Sequence, residues 1–208
     1  MTPIQHFEAI WSRCGELSAL HAYLAGNVSS VLHPEELLRA EWVTRLSALD
    51  LYVHELVAQR MLAIFEGSLP STPAYLRFQV SAETLDRIRN AATTFDATAA
   101  FDLEVRTQLS RATFQHPDNI ADALRLCSGA ELWNDVATIL GATPQDKLAK
   151  AKKLRRDLSL MVERRNKIAH EGDLQPTLSR DPWPITQADV AFVAEHIERI
   201  VRAIDTVV

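Results

Sequence analysis

Apolar residues recur three and four positions apart along most of the chain, and no stretch alternates with period two long enough to make a central strand. Residues 4–25 carry Ile4, Phe7, Ile10, Trp11, Leu17, Leu20 and Leu24 and run into Gly26-Asn27, a pair that stops helices. Pro34 takes a first-turn position, with Glu35 and Glu36 where the helix dipole favours negative charge. From there a long helix is predicted to about Phe65, through Leu38, Trp42, Leu46, Leu49, Val53, Leu56 and Met61, with Gly67 ending it. Gly67 to Pro73, with two prolines and two serines, is the most loop-like stretch. A short helix opens at Ser81, another covers roughly 96–114, and His116-Pro117-Asp118 starts a helix over 118–140. Thr143-Pro144 has the form of an N-cap followed by proline at the first helical position, opening a helix that runs to about His170 and stops at Gly172. Asp181 to Pro184 forms a rigid turn, and Thr186 with Asp189 has capping-box spacing ahead of a final helix to about Ile204. The expectation is an all-α fold of six or seven helices, with no internal repeat of solenoid length.

Composition narrows this further. The 208 residues suit a single domain, 1–208, with a bundle core at about 34–66 and 118–207 and a less assignable insert at about 67–115. Apolar residues make up 47% and charged residues 24%, enough for a core and too apolar for a disordered chain. Six glycines are too few for a sandwich or barrel with a tight turn in every hairpin. Cys14 and Cys127 are far apart and lack metal-ligand spacing, so the expectation is a reducing, cytoplasmic setting with two inert thiols. The first residues lack the basic and apolar regions of a secretory leader. The longest stretch free of Asp, Glu, Lys and Arg, Leu17 to Pro34, contains His21, Asn27, Ser29, Ser30 and His33 and does not suit a membrane span.

Charge changes the picture most. The chain totals −5, yet between Lys147 and Lys167 nine basic residues stand against only Asp157 and Glu163, a local +7. A basic stripe on an acidic protein is an electrostatic footprint for a polyanion. Helical spacing predicts a buried seam of Leu154, Leu158, Met161 and Ile168, with Arg155, Arg156, Arg164, Arg165 and Lys167 on the other face. Lys150, Lys153, Arg156, Arg164 and Lys167 are the candidate RNA-binding residues; the run Lys147–Arg156 reads equally as a soluble helix face or, beside an RNA-cleavage motif, as a phosphate track.

Within the same stretch, Arg165, Asn166 and His170 are residue types that suit cleavage of RNA without a metal. The 2′-hydroxyl attacks phosphorus, histidine exchanges protons near neutral pH, and arginine offers a permanently charged fork to the phosphoryl oxygens. Asn166 can orient an oxygen or hold the histidine. Arg165 and His170 are five residues apart, about 140° on a regular helix. They converge only if the helix loosens before Gly172, or across a two-fold axis that supplies a second copy of each. The same spacing also arises on a solvated basic face ending in a histidine favoured by the helix dipole.

The longer string Glu163-Arg164-Arg165-Asn166-Lys167-Ile168-Ala169-His170-Glu171-Gly172-Asp173 resembles the signature of the HEPN superfamily, in its RiboL-PSP-HEPN branch. Ser47 to Leu56 is similar in flavour to an upstream helix of that family, so the likeness extends from about residue 40 to 175. The resemblance implies a HEPN-type helical bundle that dimerises at the motif. It also implies metal-independent endoribonuclease activity in a toxin, anti-phage or RNA-processing setting, with an antitoxin or defence protein as a further partner. On that pattern Arg165 and His170 match the catalytic pair and Asn166 the polar position. Asp50, His54 and Glu55 are candidates to line the site. Some relatives keep the fold as a non-catalytic module, so the alternative is a dimer that binds RNA, a nucleotide or a protein. No cofactor and no metal are expected.

The other candidate groups have plainer uses. The seven histidines form no His-x3-His pair and no HExxH, and Asp50 with His54, one helical turn apart, is explained by a hydrogen bond. Trp11, Trp42 and Trp133 fall in amphipathic helices and are expected in the core. Trp183, between prolines, can cap a hydrophobic edge or stack on a base, and packing is the simpler use. No phosphate-binding glycine loop, GxSxG or paired-cysteine zinc signature is present.

Overall fold

The computed structural model describes residues 1–27 and 33–208, and the turn expected between the first two helices lies largely outside them. Eight α-helices and no strand occur among the described residues: α1 (Pro3–Asn27), α2 (Glu35–Phe65), α3 (Ala82–Arg89), α4 (Thr94–Leu109), α5 (Pro117–Arg125), α6 (Leu132–Ile139), α7 (Lys147–Glu171) and α8 (Gln187–Val207). A 3-10 turn at Tyr75–Arg77 interrupts the connection after α2. The fold is all-α, with one helix more than the upper expectation. The extra helix comes from 118–140, which breaks at Ser128-Gly129, where the Ser128 hydroxyl accepts the Ala130 N–H (3.2 Å). A serine that satisfies nearby backbone beside a helix-weak glycine outweighs the apolar period there.

Local chemistry fixes most of the other boundaries. Ser81 caps α3, Thr93 caps α4, and Thr186 with Asp189 forms a complete capping box on α8. The fourth helix therefore covers 94–109 rather than 96–114. The start expected at Thr143-Pro144 is a turn instead: the Asp146 carboxylate accepts both the N–H and the hydroxyl of Thr143 (2.6 and 2.9 Å), so α7 begins at Lys147. Gly172, at φ 66°, ends α7 as expected, because only glycine takes the left-handed turn there without strain.

α2 is the central helix, with α1, α4, α5, α7 and α8 packed against it. Its Leu38, Leu46, Leu49, Val53, Val57 and Met61 are fully or nearly fully buried, each contributing about 1.5–3 kcal/mol of burial. α8 presents Val190, Val193, Ile197, Ile200, Val201 and Ile204 to the same core. Residues 67–115 join it too. Phe101 of α4 stacks on Phe65 at 4.4 Å between ring centroids, and Val105 is fully buried.

Polar contacts set how the helices meet. Between α1 and α2, buried Glu41 pairs with Arg45 and accepts the Ser18 hydroxyl, while the Arg45 guanidinium lies over Trp11 at 4.3 Å. The Trp42 Nε1–H donates to the Met161 carbonyl (3.1 Å), joining α2 to α7. Trp42 and Trp133 are buried and Trp11 stacks on Phe7, so these three tryptophans pack as expected. Both cysteines are buried and free. No helix among the described residues is long and apolar enough to cross a membrane.

Candidate functional site

α7 continues as a regular helix through His170 to Glu171, so it does not loosen before Gly172. Within one chain Arg165 and His170 therefore diverge by about 140°. Asn166 and His170 are exposed, four residues apart, and share a face within about 40°. Arg165 departs from its expected face. It lies seven residues after Leu158, about 20° from the buried seam, and is half-buried with an enclosed Nε that has no partner. Its Nη1 reaches back to donate to the Asn166 side-chain oxygen (2.9 Å). The motif's guanidinium thus emerges at the border between core and solvent, held by its own polar neighbour.

The two adjacent arginines separate in role. Arg164 donates through Nη2 to Asp173 (3.0 Å) and to the Pro184 carbonyl (2.8 Å), and its guanidinium lies 5.3 Å from the Trp42 ring. Arg39 of α2 reaches the same Asp173 oxygen through Nε (3.2 Å) and donates to the Trp183 carbonyl (2.6 Å). Asp173 is fully buried, at φ 55°, and its own carbonyl accepts the Trp183 N–H (2.7 Å). One carboxylate between two guanidinia ties α2, the end of α7 and the Asp181–Pro184 turn together. Arg164 accordingly belongs to this clamp rather than to a free phosphate track. The Trp183 backbone is structural, while its ring remains partly exposed beside Lys167 and Leu160.

The remaining expected phosphate ligands are spread around α7. Lys150 bridges Asp146 (2.9 Å) and donates to the Gly141 carbonyl (3.1 Å). Lys153 pairs with Asp157, and Arg156 lies 3.6 Å from that carboxylate. Lys167 is exposed and has no ion pair among the described residues. Measured by helical rotation from His170, Arg156 and Lys167 lie within about 60°, whereas Lys153, Arg164 and Lys150 stand about 100°, 120° and 160° away. The five do not form one track with the motif. Counting back from His170 in steps of three and four selects Asn166, Glu163, Ser159, Arg156, Arg155 and Lys152 instead, a mostly basic and polar face with one carboxylate; that signal was present in the sequence.

A groove between α7 and α8 flanks the opposite side, lined by Lys153, Asp157, Leu160, Phe192 and His196. Burial lowers the His196 pKa against an opposing pull from Asp157, and Lys153 and Arg199 add to the lowering.

Asp50, His54 and Glu55 serve a different place. Asp50 accepts the Phe114 N–H (2.6 Å) and the Gln115 amide (2.9 Å) and lies 3.4 Å from His54 Nε2. Burial would raise its pKa, but the hydrogen bonds from His54, Phe114 and Gln115 outweigh it and the net shift is downward. Glu55 takes a two-pronged contact from Arg106 of α4 (2.7 and 3.1 Å), which lowers its pKa. These three groups fasten the 110–116 connection and α4 to α2, with no hydrogen bond to α7 among the described residues. The segment they fasten ends at His116, whose Nε2 lies 3.4 Å from Ser159 Oγ on α7. Among the described residues no three His, Cys, Asp or Glu side chains converge as a metal-binding group.

No known family, curated protein or solved structure gives a significant match to the chain.

Proposed function

We propose that this chain is one subunit of a HEPN-type, metal-independent endoribonuclease whose site is completed by a second copy. The observation that carries the reading is the state of the motif side chains. His170 and Asn166 are exposed on one face, His170 without an ion pair among the described residues, and the Arg165 guanidinium is joined to Asn166 at the edge of that face. Arg164, by contrast, is occupied by Asp173 and Pro184, which favours Arg165 as the motif arginine.

In this reading a single-stranded RNA lies across a two-fold axis between the ends of two α7 helices. One imidazole takes the proton of a 2′-hydroxyl, whose oxygen forms a bond to phosphorus. The bond to the 5′-oxygen breaks, and that oxygen gains a proton from the second copy's imidazolium. The Arg165 fork of the facing chain stabilises charge on the non-bridging oxygens. The products are a 2′,3′-cyclic phosphate and a 5′-hydroxyl. DNA, lacking the 2′-hydroxyl, is bound but not cut. Such an activity fits a toxin, defence or RNA-processing role in which a partner protein restrains it.

The about 140° divergence of Arg165 and His170 along an unbroken helix favours a second reading in which the dimer or monomer binds RNA without cutting it. One experiment separates the two. Purified protein is incubated with single-stranded RNA in EDTA, and the product ends are identified. The nuclease reading expects cyclic phosphate ends, abolished by His170→Ala. Cleavage that needs magnesium, or a His170→Ala variant that cuts normally, overturns it.

A further inference from the structure

The face of α7 that carries His170 leads into a cleft between α5, α6 and α7. Lys152 precedes His170 by eighteen residues, five full turns, so the two side chains leave the helix in the same direction about 27 Å apart. Between them Arg156, Ser159, Glu163 and Asn166 lie within about 40° of that line, with Arg155 about 60° from it, so the cations cluster at the Lys152 end and Glu163 is the one carboxylate on the row. Across from them stands His116, at Ser159 Oγ, held there by the Asp50 anchor on Phe114 and Gln115. A shallow groove lined by His116, Lys152, Arg155, Arg156 and Ser159 opens beside this row. Lys152 and Arg155 are shared between it and a cleft of about 610 Å³ formed by α5, α6 and α7.

That cleft has two kinds of wall. Leu124, Leu132, Trp133 and the exposed Leu148 supply an apolar floor, and Arg125, Lys152 and Arg155 supply a mainly cationic rim in which Glu131 is the one carboxylate side chain. Lys152 has no ion pair among the described residues, and the partners of Arg125 and Arg155 (Asp122 and Asp118) are themselves solvent-exposed. Exposed pairs of this kind contribute little, so both guanidinia can exchange a carboxylate for a phosphate at small cost. The first turn of α6 borders the cleft, but the Glu131 and Asp135 carboxylates occupy the positive end of its dipole, so the cationic rim rests on Arg125, Lys152 and Arg155. An apolar floor with a cationic rim suits a base above a phosphodiester, and the volume is that of a small-ligand site.

We infer that a single-stranded polynucleotide runs along the Lys152–His170 face of α7 and seats one nucleotide in the α5–α6–α7 cleft, with Lys152 and Arg155 holding its phosphates. The inference takes from the proposed function only that His170 lies at the working end of this strand. It replaces the expected track through Lys150 and Lys153, which point away from that face.

The test compares two double charge reversals with the same change in net charge: Lys152→Glu with Arg155→Glu, and Lys150→Glu with Lys153→Glu. Binding is read by fluorescence anisotropy of labelled single-stranded DNA of about 16 nucleotides, a typical upper site size, which lacks the 2′-hydroxyl and survives any nuclease. The first pair is expected to weaken binding about tenfold or more and to flatten the salt dependence by about 0.7 log units per lost phosphate contact. The second pair is expected to stay near the wild-type affinity. Equal weakening by both pairs, a larger effect of the second, or no binding by the wild-type protein overturns the inference. Because the four residues are exposed, circular dichroism and the unfolding midpoint check that each variant folds. Should Lys150→Glu with Lys153→Glu fail to fold, the Lys150→Gln, Lys153→Gln pair replaces it. Binding that follows the expected pattern without RNA cleavage leaves the track standing and removes the nuclease. Cleavage with no difference between the pairs does the reverse.

Discussion

Replacing Asp173 by asparagine tests what holds the end of α7 in place. The substitution keeps the side-chain shape and, since asparagine tolerates the left-handed region as aspartate does, keeps the φ of 55° acceptable. What it removes is the one negative charge between Arg39 and Arg164, which approach the same oxygen at 3.2 and 3.0 Å. Asp173 is 0% exposed and the Arg39 side chain only 8%, so water cannot take over for the carboxylate at Arg39 Nε, although Arg39 keeps Glu36 (3.0 Å) and the Trp183 carbonyl. Arg164, at 25%, is partly relieved by solvent and retains the Pro184 carbonyl. Removing one partner of a buried pair costs about 3–5 kcal/mol, and the relief at Arg164 places this variant near the lower end, about 3 kcal/mol. For a domain of this size that lowers the melting temperature by about 6–12 °C. Urea unfolding followed by circular dichroism gives the free energy, and adding Arg39→Met to Asp173→Asn, which removes charge from both sides and keeps asparagine at φ 55°, should recover part of it. A loss below about 0.5 kcal/mol for Asp173→Asn would refute the clamp as a stabilising element.

His170→Ala, at an exposed position, is expected to leave the unfolding free energy within about 0.5 kcal/mol while abolishing RNA cleavage; a large stability loss would mean that His170 is structural. After subunit exchange, an equal mixture of wild-type and His170→Ala subunits should keep about a quarter of the cleavage of the same amount of wild-type protein, because only dimers carrying both imidazoles hold an acid and a base, and random pairing makes these about a quarter of the total. Retention of half the activity, as simple dilution gives, argues against pairing across the axis. The lowered Asp50 pKa makes its stabilisation full above the unfolded value of about 4 and lost as pH falls through the folded value. Urea midpoints between pH 5 and 3 should therefore fall less steeply in Asp50→Asn than in the wild-type protein, and equal slopes would refute this. Burial pushes the Cys127 thiol up to about 11 and raises that of Cys14, so alkylation of the folded protein at pH 8 should be slow at both until denaturant is added.

Periodicity and capping chemistry were sufficient to determine that the chain is helical, where α2 and α8 run, where α7 ends, and which faces of α2 and α8 carry the core. These are short-range effects: a threonine, an aspartate three residues on and an apolar residue every turn act within one helix. Thr186, Asp189 and Gly172 behave as their local sequence dictates. The break at Ser128-Gly129 and the late start of α7 were harder to read, because a side chain folding back on nearby backbone competed with an equally good helical pattern. The motif residues Arg165, Asn166 and His170 were legible as a string, and helical rotation alone already separated Arg165 from His170. What only the tertiary structure decided is which charges are spoken for. Asp173 and Arg39, 134 residues apart, and the Trp183 carbonyl turn Arg164 from a surface cation into part of a buried clamp. Likewise Asp50 acquires its role from Phe114 and Gln115, which only folding brings beside it. Sequence sets the charge each residue carries, but the desolvation and partners that give that charge an energy come from distant segments meeting in space.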